Sequence, residues 1–169
     1  MKADPLLIIA GAAFVVAVYL FARWRSPRPE FPPLQTDPDD PILLKAVSDA
    51  QASVGEFLPL ARARPDTAIV KLYFVSSSNQ VEHLWAEVLD VLSDQELRVR
   101  LVTPPVTHSG ELDRVYTCKV SDIEDWQARD ASNKIRGGFT QRAMFAIAHR
   151  EGVKLPKKLL ETEREYSDG

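Results

Sequence analysis

Cysteine is nearly absent from this chain, because its 169 residues include only one, Cys118. A single cysteine cannot form an internal disulfide, which agrees with a reducing compartment. Positive charge is not in excess either, since the formal net charge is -3. Without a basic field to attract phosphates, we expect no binding to nucleic acid.

Motifs that carry a known chemistry are missing as well. No Gly-Lys-Ser/Thr sequence and no spaced glycine fingerprint is present, so a nucleotide phosphate loop is not expected. His108 and His149 lie far from any residues with metal-ligand spacing, and one histidine with one carboxylate on a strand gives too few ligands. The sequence therefore predicts no metal and no cofactor.

A long apolar run is present near the start of the chain. Residues 5–22 carry no charge, and as a helix at ~1.5 Å per residue they reach about 27 Å. The run predicts a transmembrane anchor over residues 1–24 that contacts the lipid bilayer through residues 5–22. A cleavable secretory signal is the alternative, but the run ends without the small residues of a signal peptidase site.

Arginines after the run predict the orientation of the chain. Arg23, Arg25 and Arg28 follow it, so we expect a single-pass membrane protein with the N-terminus outside and a cytoplasmic domain. Six of the 12 prolines lie in residues 23–41. Proline-rich chain is extended and semi-rigid, which predicts a linker over residues 25–41, with a PxxP ligand as the alternative.

The rest of the chain predicts one α+β domain over residues 42–152. Apolar residues at three- and four-residue intervals predict a helix over 41–61, and Thr140 can cap a second helix that ends near Arg150. Between them, the runs 67–75, 81–92, 96–102 and 114–120 predict an antiparallel four-stranded sheet flanked by helices. Residues 121–126, SDIEDW, begin with a capping box and predict a helical turn. Residues 153–169 form a charged C-terminal tail, either a solvated helix or frayed chain.

Four local sequences resemble a known bacterial family. VEHLWAEV, TPP, VSDIEDW and GGFTQR occur in this order within residues 42–145. The matching residues are Glu82, His83, Trp85, Glu87, Asp125, Trp126, Gly137, Gly138 and Arg142. The pattern resembles the YegJ-like family, the domain of unknown function numbered 2314. One departure is the loop before the last strand, where the family has Leu-x-x-Gly-Asp and this chain has residues 109–114, SGELDR. The resemblance implies the fold and a bacterial source, so the predicted anchor would lie in the inner membrane, and it implies no established activity.

The strand at 81–92 carries the candidate binding face. Strand alternation places His83, Trp85 and Glu87 on the side opposite the core. An imidazole near an indole and a carboxylate can bind a polar or cationic ligand. The structural alternative is that Trp85 covers a half-exposed sheet while His83 hydrogen-bonds Glu87 or a backbone group.

A weaker candidate lies at the start of the last predicted helix. Gly137 and Gly138 precede Thr140, and free backbone amides there can bind an anion with help from Arg136 and Arg142. The alternative is that the two glycines only allow a tight turn.

Two functions follow from these candidates. The first is a non-enzymatic domain that binds a protein partner or a small ligand, neither of them identified, through the His83, Trp85 and Glu87 face. The second is a hydrolase that uses His83 as a general base, oriented by Glu87 or Asp125. A catalytic site requires a concave surface with His83 about 3 Å from its carboxylate, whereas a binding face can be flat.

Overall fold

One antiparallel sheet is the frame of the domain. A computed structural model describes residues 37, 39–75, 79–102 and 114–167. In chain order the strands are β1 (Ile69–Val75), β2 (Val81–Val91), β3 (Glu96–Leu101), β4 (Val115–Lys119), β5 (Ile123–Arg129) and β6 (Ile135–Gly137). Their spatial order is β4-β3-β2-β1-β5-β6, so β1 and β2 are the central pair.

The predicted four-stranded sheet is wrong in strand number, because the sheet has six strands. The four runs named from sequence correspond to β1 through β4, and the prediction lacks β5 and β6. The SDIEDW segment forms only a short 3-10 turn, Val120–Asp122, and then continues as β5. Pairing with β1 buries Ile123 and Trp126 in the core, a gain that the local capping pattern does not reveal.

In the described residues, four α-helices accompany the sheet: α1 (Pro41–Ala52), α2 (Val54–Ala63), α3 (Phe139–Arg150) and α4 (Lys157–Glu163). The single helix predicted over 41–61 is therefore two helices. It begins as predicted, because Asp40 Oδ1 accepts a hydrogen bond from Ile42 N at 2.9 Å. It breaks at Ser53, where φ is -97° and ψ is 4°, and the Ser53 hydroxyl donates to Ala50 O at 3.0 Å.

The core lies between α2 and one face of the sheet. Its buried residues are Val54, Phe57, Leu58, Ala61, Ala68, Val70, Leu72, Leu84, Ala86, Val88, Leu97, Val99, Leu101, Ile123, Trp126 and Ala128. Trp126 joins the layers, since its ring centroid lies 5.4 Å from that of Phe57 and 5.9 Å from that of Phe139. Its Nε1 donates to Ala50 O at 3.2 Å, so the indole N–H is satisfied inside the core.

The C-terminal tail contains α4 and then pairs with the sheet. Tyr166 forms a parallel bridge with Ile135 on β6. Ile135 N donates to Glu165 O, and Ser167 N donates to Ile135 O, both at 2.9 Å. The tail therefore binds the β6 edge through backbone hydrogen bonds.

The membrane predictions need correction. Within the described parts of the chain, no helix is long and apolar enough to cross a membrane. On this finding, the predicted transmembrane helix, the single-pass topology and the inner-membrane location with a cytoplasmic domain are not supported. The apolar run 5–22, on which they rested, lies outside the described residues, as does most of the linker predicted over 25–41.

Candidate functional site

β2 carries the three side chains that the sequence nominates as a binding face. The core-facing residues of the strand are Leu84, Ala86 and Val88. His83, Trp85 and Glu87 alternate with them and lie on the opposite face, where Trp85 and Glu87 are half-buried and His83 is exposed. In the antiparallel register, His83 lies opposite Tyr73 of β1, and Trp85 lies opposite Lys71. The three side chains therefore share the sheet face opposite the core, and their neighbours on that face are Lys71 and Tyr73 of β1.

Glu87 has its own partner on the neighbouring strand. Arg100 Nε donates to Glu87 Oε1 at 2.5 Å across the β2–β3 pair. Both side chains are exposed by a third or more, so this ion pair contributes little to stability. Glu87 does not orient His83.

His83 pairs instead with Glu124 on β5. The distance between His83 Nδ1 and Glu124 Oε2 is 2.7 Å. An ionised carboxylate can only accept a hydrogen bond, so this contact assigns the proton to Nδ1 and leaves Nε2 for another partner. The carboxylate that orients the imidazole is thus neither Glu87 nor Asp125, the two predicted from sequence.

A cavity opens beside this pair, which we call the His83 cavity. Its volume is about 300 Å³. The polar lining comes from the sheet and the start of α3, and the apolar lining comes from α1: Lys71, His83, Glu124, Thr140, Leu43, Leu44 and Val47. The surface around His83 is therefore concave, with charged groups on one side and aliphatic groups on the other.

Asp125 lies behind the cavity and is fully buried. Its Oδ1 accepts from Trp126 N at 2.8 Å and from Phe139 N at 3.1 Å. Its Oδ2 accepts from Thr140 N at 2.7 Å and from the Thr140 hydroxyl at 2.6 Å. Burial raises the pKa of Asp125 above its ordinary value, although these four hydrogen bonds act in the opposite direction. The carboxylate holds the first turn of α3 to β5.

Lys71 contacts the same cluster from β1. Its Nζ lies 3.5 Å from Thr140 Oγ1, whose own proton is donated to Asp125. In the described part of the chain, no carboxylate oxygen lies within 4.0 Å of this ammonium. Lys71 is thus a cation at the cavity with a neutral hydroxyl as its contact.

The weaker candidates, Gly137, Gly138 and Arg142, lie outside the His83 cavity. Gly137 has φ +78°, and a Cβ there would lie 2.2 Å from Trp126 O. Gly138 has φ +65° and precedes α3. Both positions therefore require glycine for the turn. The first amides of α3 donate to Asp125, so they are not free for an anion. Arg142 lines a separate groove of about 710 Å³ between α1 and α3.

Metal ligands do not cluster in the residues that the structure describes, where no group of three or more His, Cys, Asp or Glu side chains could hold an ion. His149 contacts Glu163, with Nε2 and Oε1 2.9 Å apart. His108 lies outside the described residues.

Sequence reasoning found His83 but missed three neighbours that complete the cavity: Lys71, Glu124 and Thr140. A signal existed for Lys71, because it is the one charged residue in the apolar run TAIVKLYFV. Thr140 was assigned only to a helix start, and Glu124 only to a capping box.

The comparisons with known proteins give a family and no activity. No curated protein and no solved structure matches the chain significantly. A family model described as "Uncharacterized protein conserved in bacteria (DUF2314)" matches residues 40–152, which confirms the resemblance to the domain of unknown function numbered 2314. That match includes every residue of the His83 cavity. The chain therefore belongs to the DUF2314 family.

Proposed function

We propose that this domain is a non-enzymatic binding module and that its ligand site is the His83 cavity. One observation carries the proposal: an ammonium, an imidazole and a carboxylate line the same cavity as three aliphatic side chains. A few converging polar groups beside an apolar wall are typical of sites for small molecules. Of the three side chains nominated from sequence, only His83 lines this cavity.

The hydrolase hypothesis has one observation in its favour. His83 Nδ1 lies 2.7 Å from Glu124 Oε2 in a concave site, as a general base requires. Among the described residues that line the cavity, however, none is an activated nucleophile. Thr140 is the hydroxyl in its lining, and it is almost fully buried and donates its proton to Asp125. We therefore favour binding over catalysis.

The binding proposal is tested by solution NMR on the isotope-labelled full chain. The probes are a panel of small acids, amines and alcohols, and the readout is the chemical-shift change of the amides at residues 71, 83 and 124. We expect at least one probe to shift these amides, and we expect His83→Ala to abolish the effect.

A matched control is available elsewhere in the same domain. His149 is as exposed as His83 and also contacts a glutamate, but it does not line the cavity. His149→Ala should leave the shifts unchanged. If no probe moves the three amides, or if His83→Ala leaves the shifts intact, the binding proposal is wrong.

A second assay separates binding from catalysis. Ester, phosphate-ester and peptide substrates with chromogenic leaving groups are incubated with the full chain and with the His83→Ala, Glu124→Gln and His149→Ala variants. We expect no turnover above the buffer rate. Turnover that His83→Ala and Glu124→Gln remove, while His149→Ala keeps it, would instead support the hydrolase.

A further inference from the structure

Resting on the proposed function, we propose that the His83 cavity binds a small monocarboxylate, with the anionic group at Lys71 and an alkyl chain against α1. This assignment names the chemical class of the ligand. It follows from which charges in the cavity are already paired, and from where its apolar wall lies.

Among the described side chains that line the cavity, Lys71 is the charged group whose hydrogen-bond contact is uncharged. Glu124 is held by His83 Nδ1 at 2.7 Å, and Asp125 is buried beneath four donors. Lys71 instead contacts the neutral hydroxyl of Thr140 at 3.5 Å. An ammonium has three N–H donors, so donors of Lys71 remain for an anionic group. Charge complementarity therefore selects an anion over an amine.

The surrounding charges favour one negative charge over two. Two acids that are adjacent in sequence lie near this cation: Glu124 lines the cavity together with Lys71, and Asp125 accepts the proton of the Thr140 hydroxyl that Lys71 contacts. A carboxylate brings a single charge, which Lys71 balances. A phosphate monoester is a dianion at neutral pH for much of its population, and its second charge would be repelled by these two acids.

The wall opposite the charges accommodates an alkyl chain. Leu43, Leu44 and Val47 project from α1 into the lining, and Leu44 is 55% exposed. Covering this wall removes apolar surface from water. Hexanoate has eight non-hydrogen atoms, which take about 240 Å³ if each takes the roughly 30 Å³ of a liquid water. The cavity volume of about 300 Å³ accommodates a chain of this size.

The test measures dissociation constants by NMR titration of the full chain with butanoate, hexanoate, hexanol, hexylamine and hexyl phosphate. We expect hexanoate to bind more tightly than the other three six-carbon probes. We expect affinity to rise from butanoate to hexanoate by about fourfold per methylene, the value of a buried CH₂.

Variants at Lys71 test the charge. Lys71→Met should weaken the binding of hexanoate by about tenfold to a hundredfold, which corresponds to the loss of one charge-assisted hydrogen bond. The affinity for hexanol should not change. Lys71→Arg keeps the positive charge, so its affinity for hexanoate should stay within about threefold of that of the parent. A shift in hexanol affinity equal to that of hexanoate in Lys71→Met would mean that the change acts through packing, which overturns the assigned role.

Variants at exposed leucines test the apolar wall. Leu44→Ser should reduce the gain in affinity between butanoate and hexanoate. Leu92→Ser is the matched control, because Leu92 is 48% exposed and lies outside the cavity. An unchanged chain-length gain in Leu44→Ser would contradict the placement of the alkyl chain.

The outcomes separate this inference from the function on which it rests. If hexylamine or hexyl phosphate binds more tightly than hexanoate, and His83→Ala removes that binding, the carboxylate assignment is wrong and the ligand site stands. If none of the five probes perturbs the cavity amides, the carboxylate assignment is wrong, and the wider panel then decides the binding proposal separately.

Discussion

Removal of the Asp125 carboxylate should destabilise the domain more than removal of any exposed acid. In Asp125→Ala, the amides of Trp126, Phe139 and Thr140 and the Thr140 hydroxyl lose their common acceptor. Each buried donor left without an acceptor costs about 1–3 kcal/mol, and water entering the space recovers part of that. The variant also avoids the cost of burying a charged carboxylate, and this offsets several kcal/mol of the lost stability.

These terms combine to an expected loss of about 3–4 kcal/mol in the free energy of unfolding, near the 3–5 kcal/mol typical of breaking a buried charge interaction. The measurement is equilibrium denaturation of the full chain in urea, followed by far-UV circular dichroism. Asp125→Asn keeps one acceptor oxygen, so it should lose about half as much. Asp122→Ala removes an exposed acid three residues earlier, in the 3-10 turn before β5, and should change stability by less than about 0.5 kcal/mol.

The pH dependence provides a second readout at the same residue. Folding raises the pKa of Asp125, so the native state holds the proton more tightly than the unfolded chain. The stability of the parent relative to Asp125→Asn should therefore fall as the pH rises from about 4, the ordinary aspartate value, to the raised pKa, and should level off above it. A loss below about 1 kcal/mol in Asp125→Ala would mean that the α3 amides find other acceptors, which would refute the anchoring role.

Two further predictions concern other parts of the fold. Gly137→Ala should lower the free energy of unfolding by about 3 kcal/mol or more, because φ is +78° and the new Cβ would lie 2.2 Å from Trp126 O. Gly55→Ala in α2 is the control, because its Cβ meets no atom within 4 Å, and it should raise the free energy of unfolding by about 0.5–1 kcal/mol. Thermal unfolding of both variants checks this, and equal effects would contradict it. Cys118 should alkylate slowly in the native state, because burial, with a smaller effect of Asp122, raises its pKa to about 11. At pH 8 its thiolate fraction is then about a hundredfold below that of an ordinary thiol, and iodoacetamide kinetics on native and urea-unfolded chain would differ accordingly. Equal rates would show that the thiol is not shielded.

Local patterns were enough to locate β1 through β4, because each has alternating or apolar residues bounded by turn residues. They were not enough for β6, which has only three residues and so no measurable alternation. They failed at β5 for another reason. Its strand state depends on pairing with β1, more than 50 residues earlier in the chain, and this tertiary pairing outweighs the capping box at its start.

The candidate site shows the same division between local and distant information. Alternation within β2 alone places His83 opposite the core, and the structure agrees. The contact with Glu124 joins residues 41 positions apart, and the contact of Lys71 with Thr140 joins residues 69 apart. No pattern within a single strand encodes these distances, so the sequence supplied one member of the cavity and not its partners.

A bulge in β5 explains how one short segment serves both the core and the cavity. Asp125 pairs with Lys71 and Ile123 pairs with Leu72, so Glu124 is an extra residue between two paired positions. In a regular strand, Ile123 and Trp126 would point to opposite faces, because their separation is odd. With the extra residue both are buried in the core, while Asp125 reaches α3 and Glu124 reaches His83. The bulge in β5 is therefore the feature that brings Glu124 to His83 and Asp125 to the start of α3.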